Sequence, residues 1–141
     1  MKVIFNFPNV SGNIFVMSNI SNPAPDETLS RIFRALSSPV RLRILAAIGA
    51  GEACVCHLES LLDLRQAYIS QQLMDMRQAG LLQTRREGRF IYYSLSEPNL
   101  LGLLIEIGST MSLPMEEIQA LAHSEQLPNC PCPHCSAHFS Q

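Results

Sequence analysis

Residues 65–95, RQAYISQQLMDMRQAGLLQTRREGRFIYYSL, carry two different periodicities separated by a glycine. Ile69, Leu73 and Met76 fall at i, i+4 and i+7, one face of a helix, while Gln66, Tyr68, Ser70, Gln71 and Gln72 occupy the rest of its surface. Gly80 supplies the stop that ends such a helix. Beyond it, Leu81–Thr84 and Phe90–Leu95 are β-prone runs flanking Arg85-Arg86-Glu87-Gly88-Arg89, which predicts a hairpin with three arginines at its tip.

These residue types share one chemistry. A Gln side chain pairs bidentately with an adenine edge in a major groove, and a Ser hydroxyl reaches base edges or phosphates. Arginine at a hairpin tip suits phosphate oxygens or a narrow minor groove. Taken singly, a glutamine-rich helix is most simply a solvated surface and an arginine tip a solubility device. Side by side they point to a winged helix-turn-helix that grips double-stranded DNA. The expected contacts are Gln66, Tyr68, Ser70, Gln71, Gln72 and Arg77 on the helix, with Arg85, Arg86 and Arg89 on the wing.

Charge is distributed accordingly. The 141 residues include 10 basic and 12 acidic side chains, a net charge of −2 that excludes a uniformly basic nucleic-acid binder. Residues 31–43 nevertheless hold four arginines and no acid, and residues 65–89 hold five arginines against Asp75 and Glu87. Residues 97–141 hold five glutamates and no Lys or Arg. Basic charge is concentrated where DNA contact is expected.

The expected fold class is mainly α with a small β-hairpin. Length and a 47% hydrophobic content suit a single domain. Residues 1–25 read as a flexible leader with Met17 as an alternative start, 26–113 as the DNA-binding and dimerisation domain, and 114–141 as a C-terminal helix and Cys-rich tail. The leader's apolar run is broken before it reaches signal-peptide or membrane-span length, so the expectation is a cytoplasmic chain with no membrane partner. Helices are expected over 26–36, from Pro39 to near Gly49 with Ser38 as cap, over 56–62, over 99–111 and from about Pro114 to His123. In the helix over 99–111, Leu100, Leu101, Leu103, Leu104, Ile105 and Ile107 surround nearly the whole circumference. Such a helix must be buried on more than one side, and so short a chain has few other elements to cover it, which predicts a homodimer.

Five cysteines in a reducing compartment point to metal or redox chemistry rather than disulfides. Cys54 and Cys56 would project about 200° apart on a regular helix and to opposite faces of a strand. They meet one ion only at an irregular junction such as a helix start, where the dipole is also expected to favour the thiolate. Cys130, Cys132 and Cys135 share nine residues with His134 and His138, too short a stretch to form a closed zinc knuckle with its own supporting fold. Cys132-Pro133-His134-Cys135 has the spacing of a disulfide oxidoreductase, but only six residues follow it and no βαβ unit surrounds it. No Ser-His-Asp arrangement or phosphate-cradling loop is present, so no enzyme is expected.

Over residues 27–111 the order of elements resembles the ArsR/SmtB-type winged-helix repressors. The resemblance rests on Phe33-Arg34-Ala35-Leu36-Ser37-Ser38-Pro39-Val40-Arg41-Leu42-Arg43-Ile44-Leu45, Cys54-Val55-Cys56-His57-Leu58, Ile69-Ser70-Gln71-Gln72-Leu73, Gly80-Leu81-Leu82 and Gly88-Arg89-Phe90-Ile91-Tyr92-Tyr93. It departs from the common pattern at Arg65, where a Ser often caps the recognition helix, and at Gln72, which replaces a frequent His. The resemblance implies a homodimer that binds an inverted-repeat operator and leaves it when an inducer binds. Cys54-Val55-Cys56 stands where many thiolate-sensing members carry Cys-Val-Cys. Glu59 stands where some carry a third thiol, so further sulfur is expected from Cys130, Cys132 and Cys135, as in members that recruit a terminal cysteine. The family's zinc site on the dimer helix is missing, with Glu97 and Asn99 at its start and no His between Asn99 and Met111. As(III), or Sb(III), is the expected inducer because three sulfurs suit its pyramidal coordination, and no organic cofactor is expected. The alternatives are Cd(II) or Pb(II), favoured by a fourth sulfur, and a thiol-redox or persulfide signal. His57, His134 and His138 are auxiliary candidates.

Overall fold

The computed structural model describes residues 24–122 and 130–136. The expected leader, apart from its last two residues, and His138 lie outside the described residues, as does the side chain of His134. The first two helices are set by proline. Helix α1 (Pro25–Leu36) and helix α2 (Pro39–Ile48) both begin on a Pro, whose fixed φ and missing N–H suit a first turn. Asp26 and Glu27 open α1 and Arg34 lies in its last turn, both favourable to the helix dipole. Ser38 occupies the cap position of α2 but makes no side-chain capping bond, so Pro39 alone marks that start.

Helix α2 ends at Gly49, whose φ of +58° and close approach to the Ala122 carbonyl both disfavour a side chain. That approach docks helix α6 (Glu116–Ala122) on α2. Next comes an element not expected from the sequence, strand β1 (Glu52–Cys54), which leads without a break into helix α3 (Val55–Leu62). Helix α4 (Gln66–Gln78) follows, and Gly80 closes it at φ +82°, with the Leu81 amide donating to the Met76 carbonyl at 3.0 Å.

Strands β2 (Leu82–Glu87) and β3 (Phe90–Leu95) form the expected hairpin, with Glu87 opposite Phe90 and Gly88 at φ +57° in the turn. The hairpin is not alone. β1 pairs antiparallel with β3, giving a three-stranded sheet in the order β1-β3-β2. Three residues are too few to show a strand alternation, which is why β1 is invisible in the sequence. Its register sets Cys54 opposite Tyr92.

The main core joins Ile44, Leu45 and Ile48 of α2, Leu58 and Leu62 of α3, Ile69, Leu73 and Met76 of α4, and Leu82 and Leu95 of the sheet. Helix α5 (Leu100–Thr110) sets Leu100, Leu101 and Leu104 against it. Leu103 and Ile107 are 55% and 47% exposed, and Leu29, Phe33 and Met111 are exposed as well. A short helix α7 (Pro133–Ser136) carries part of the tail. Among the described residues, no helix is long and apolar enough to cross a membrane.

Candidate functional site

Helix α4 turns Ile69, Leu73 and Met76 inward and leaves Gln66, Tyr68, Gln71 and Arg77 exposed, with Ser70 half-buried. Tyr68 is 45% exposed, high for so large an apolar ring. Gln72 does not join that face. It is buried, 9% exposed, and its Oε1 accepts a hydrogen bond from Arg41 Nε at 2.8 Å. Arg41 also binds Asp75 and the Ala35 carbonyl, so one guanidinium of α2 ties the end of α1 to α4. Spacing held the clue: Gln72 stands three residues after Ile69 and four before Met76, on the apolar stripe itself.

The wing arginines differ from one another. Arg85 is exposed but bound by Glu52 of β1 and by Glu87, and its guanidinium lies 4.7 Å above the Tyr92 ring. Two carboxylates hold its guanidinium in this arrangement, so a phosphate contact at Arg85 competes with both. Arg86 donates to the Gly88 carbonyl at 3.1 Å and Arg89 stacks on Phe90 at 5.2 Å. Neither has a carboxylate partner among the described residues.

Beneath the wing lies a second buried cluster of Cys54, Tyr92, Cys130, Cys132 and Cys135, with Cys56 and Phe90 packed on it. Cys54 ends β1 and caps α3, and this strand-to-helix junction brings its Sγ to 2.9 Å from that of Cys56. Cys130 closes a triangle, with Sγ 3.3 Å from Cys56 and 3.9 Å from Cys54. Cys132 is a fourth member, and all four sulfurs lie within 4.8 Å of one another. Cys135 is drawn elsewhere: its Sγ is 3.2 Å from His57 Nδ1, in a second group with Cys130. The five expected cysteines thus split over two donor sets, and His57 belongs to one of them. A contact between residues 78 positions apart leaves no trace in local spacing.

The triangle constrains what it can hold. Cys54, Cys56 and Cys130 would hold a soft thiophilic ion through three sulfurs, and Cys132 would offer a fourth.

Electrostatics correct one expectation. Burial pushes the Cys54 thiol up, and the Cys56 thiol adds to this, so the amide of His57 at the helix start is outweighed. Burial likewise raises Cys130. At Cys132 burial also acts upward, but the Cys135 amide and neighbouring thiols prevail and hold this thiol below its usual value. The thiolate is favoured at Cys132 and disfavoured at Cys54 and Cys130.

Residues 38–84 match the family described as bacterial regulatory protein, arsR family. The chain is 35% identical over 81 residues to a transcriptional repressor SmtB homolog of Synechocystis, spanning 57% of this chain and 61% of that relative, less than two thirds of its length. It is 32% identical over 102 residues to the arsenical resistance operon repressor of Escherichia coli, covering 71% of this chain and 86% of the relative. Among solved structures, the homodimeric winged helix-turn-helix DNA-binding domain Mb0332 from Mycobacterium bovis superposes with a TM-score of 0.58 at 24% identity, over 68% of this chain and 91% of that one. That last likeness concerns the fold.

Proposed function

The chain belongs to the arsR family of bacterial regulatory proteins, and on that premise we propose that it is an operator-binding repressor released by a soft thiophilic ion, As(III) first, held by Cys54, Cys56 and Cys130. One observation carries the reading. Sulfurs from the β1–α3 junction and from a segment 76 residues away in sequence meet within 3.9 Å, beneath the wing. Arsenite, As(OH)3, exchanges three hydroxides for three sulfurs, and each thiol proton leaves with a hydroxide as water.

Repression rests on a homodimer. The exposed Leu103 and Ile107 of α5 and Leu29 and Phe33 of α1 are covered by a second copy, as the homodimeric assembly of the Mycobacterium bovis domain supports. Two recognition helices then enter successive major grooves, and the operator is an inverted repeat with half-sites about 10 bp apart. Gln66, Tyr68, Ser70 and Gln71 read bases, while Arg77, Arg86 and Arg89 hold phosphates.

The cluster and the DNA face share backbone. Cys54 pairs with Tyr92, whose ring lies under Arg85, and Arg85 is bound to Glu52 in β1. Cys56 lies in the first turn of α3, which packs on α4. An ion bound by the three sulfurs resets their separations and so acts on the wing and on the recognition helix at once. Coupling of this kind is typically about 1–3 kcal/mol, and operator DNA weakens inducer binding by the same factor.

Cys132, the fourth sulfur within 4.8 Å, favours a second reading in which Cd(II) or Pb(II) is the inducer. Titration of an operator complex with arsenite, Cd(II), Pb(II) and a persulfide, followed by fluorescence anisotropy, tests both. Release by arsenite at the lowest concentration supports the first reading. Release by Cd(II) or Pb(II) alone supports the second, and release by persulfide alone replaces both with a redox sensor.

A further inference from the structure

The four sulfurs of Cys54, Cys56, Cys130 and Cys132 lie close enough to hold an ion without Cys135. Cys135 is nevertheless buried to 1% exposure beside His57, itself buried to 5% on the first turn of α3. Cys130, with a ligand atom within 4.8 Å of both, belongs to their group as well as to the sulfur set. We propose that His57, Cys135 and a shared Cys130 thiolate form a second metal site, which holds a resident divalent ion of borderline softness, Zn(II), and clamps residues 130–136 onto α3. The inference deepens the reading above, from which it takes only Cys130 as an inducer ligand.

Three observations support the clamp. The donor set differs in kind, because an imidazole nitrogen suits Zn(II) and adds nothing for the thiophilic As(III). The spacing fits: tetrahedral bonds of about 2.0–2.1 Å to nitrogen and 2.3 Å to sulfur place the two donors roughly 3.6 Å apart. His57 Nδ1 and Cys135 Sγ stand 3.2 Å apart, a few tenths of an ångström from that value. The location also matters. The triangle of Cys54, Cys56 and Cys130 exists only while the tail is folded against α3, so an ion at His57 and Cys135 preassembles the inducer site. Cys130 then bridges two ions, as a thiolate with free lone pairs does.

The alternative is that Cys135 and His57 make only a hydrogen bond. Cadmium-113 NMR on the reduced full chain, with histidine labelled in nitrogen-15, decides between them. Cd(II) fills both donor sets, so two ions per chain are expected, one of them showing coupling to a histidine nitrogen. Cys135→Ser and His57→Gln each remove the coupled resonance and reduce the stoichiometry to one, while circular dichroism shows the fold retained. Cys54→Ser combined with Cys56→Ser, which leaves only Cys130 and Cys132 of the four sulfurs, removes the uncoupled resonance and keeps the coupled one. A single resonance without nitrogen coupling in the parent protein overturns the clamp and leaves the inducer site standing. Coupling that survives His57→Gln assigns the nitrogen to another histidine and overturns it too. Survival of the uncoupled resonance in that double variant instead refutes the inducer site and leaves the clamp in place.

Discussion

Replacing Gln72 by Ala separates the buried glutamine from its exposed neighbour. In the structure Gln72 Oε1 receives Arg41 Nε at 2.8 Å, a bond from a charged donor. Such bonds contribute about 1.5–3 kcal/mol. The lower half of that range applies here, because Arg41 keeps Asp75 and the Ala35 carbonyl and its side chain is 19% exposed, so water replaces part of what is lost. A loss of about 1.5–2 kcal/mol lowers the melting temperature of a domain of this size by roughly 5–8 °C. Operator affinity then falls evenly across sequences, because the recognition helix loses an anchor rather than a base contact. Gln71→Ala behaves in the opposite way. Its bond to Asp75 is exposed, so stability changes by less than about 0.5 kcal/mol, whereas discrimination at one base pair drops by roughly 1–3 kcal/mol. Thermal melting combined with anisotropy on single-base operator variants reads both effects. If Gln72→Ala left the melting temperature unchanged and relaxed preference at a single base, Gln72 would lie in the groove and its burial against Arg41 would be wrong.

Arg86→Ala and Arg89→Ala are expected to weaken binding to all sequences and to lower the salt slope by about one per phosphate contact, with Arg85→Ala changing it less because two carboxylates hold Arg85; equal slopes for all three would refute this ranking. Ile107→Glu places a charge on the exposed apolar face of α5 and should give monomers with poor operator binding, which sedimentation at micromolar concentration checks. Cys54→Ser should abolish release by arsenite while leaving repression intact, and removal of residues 128–141 should raise the arsenite concentration needed; an unshifted titration of the shortened chain would make the tail a bystander. Because burial raises the Cys54 and Cys130 thiols, both are protonated near neutrality, so Cd(II) must displace protons and its affinity should rise about tenfold per pH unit for each. Arsenite releases water instead, so its affinity should stay flat, and parallel pH series on the two ions read the difference. In the ion-free protein the same raised thiols contribute stability below 9.0, their ordinary value, and that contribution is lost as pH climbs beyond it, which melting curves in alkaline buffer check.

What can be read from residue order alone is what depends on near neighbours. Ile69, Leu73 and Met76 announce α4, Pro39 starts its helix, and Gly80 and Gly88 shape a stop and a turn, because helix periodicity and positive φ are local properties. Cys54-Val55-Cys56 is legible as a thiol pair only through the family resemblance, because helix and strand spacing alone set the two apart. Tertiary structure decided the rest. It buried Gln72 against Arg41, 31 residues away, and gave Arg85 to Glu52, 33 residues away. It also parted the tail cysteines, sending Cys130 and Cys132 to the β1–α3 junction and Cys135 to His57. Each of those choices depends on which surfaces the packed core presents to a distant segment, and loop closure over such spans depends only weakly on length, so spacing in the chain carries almost no information about them.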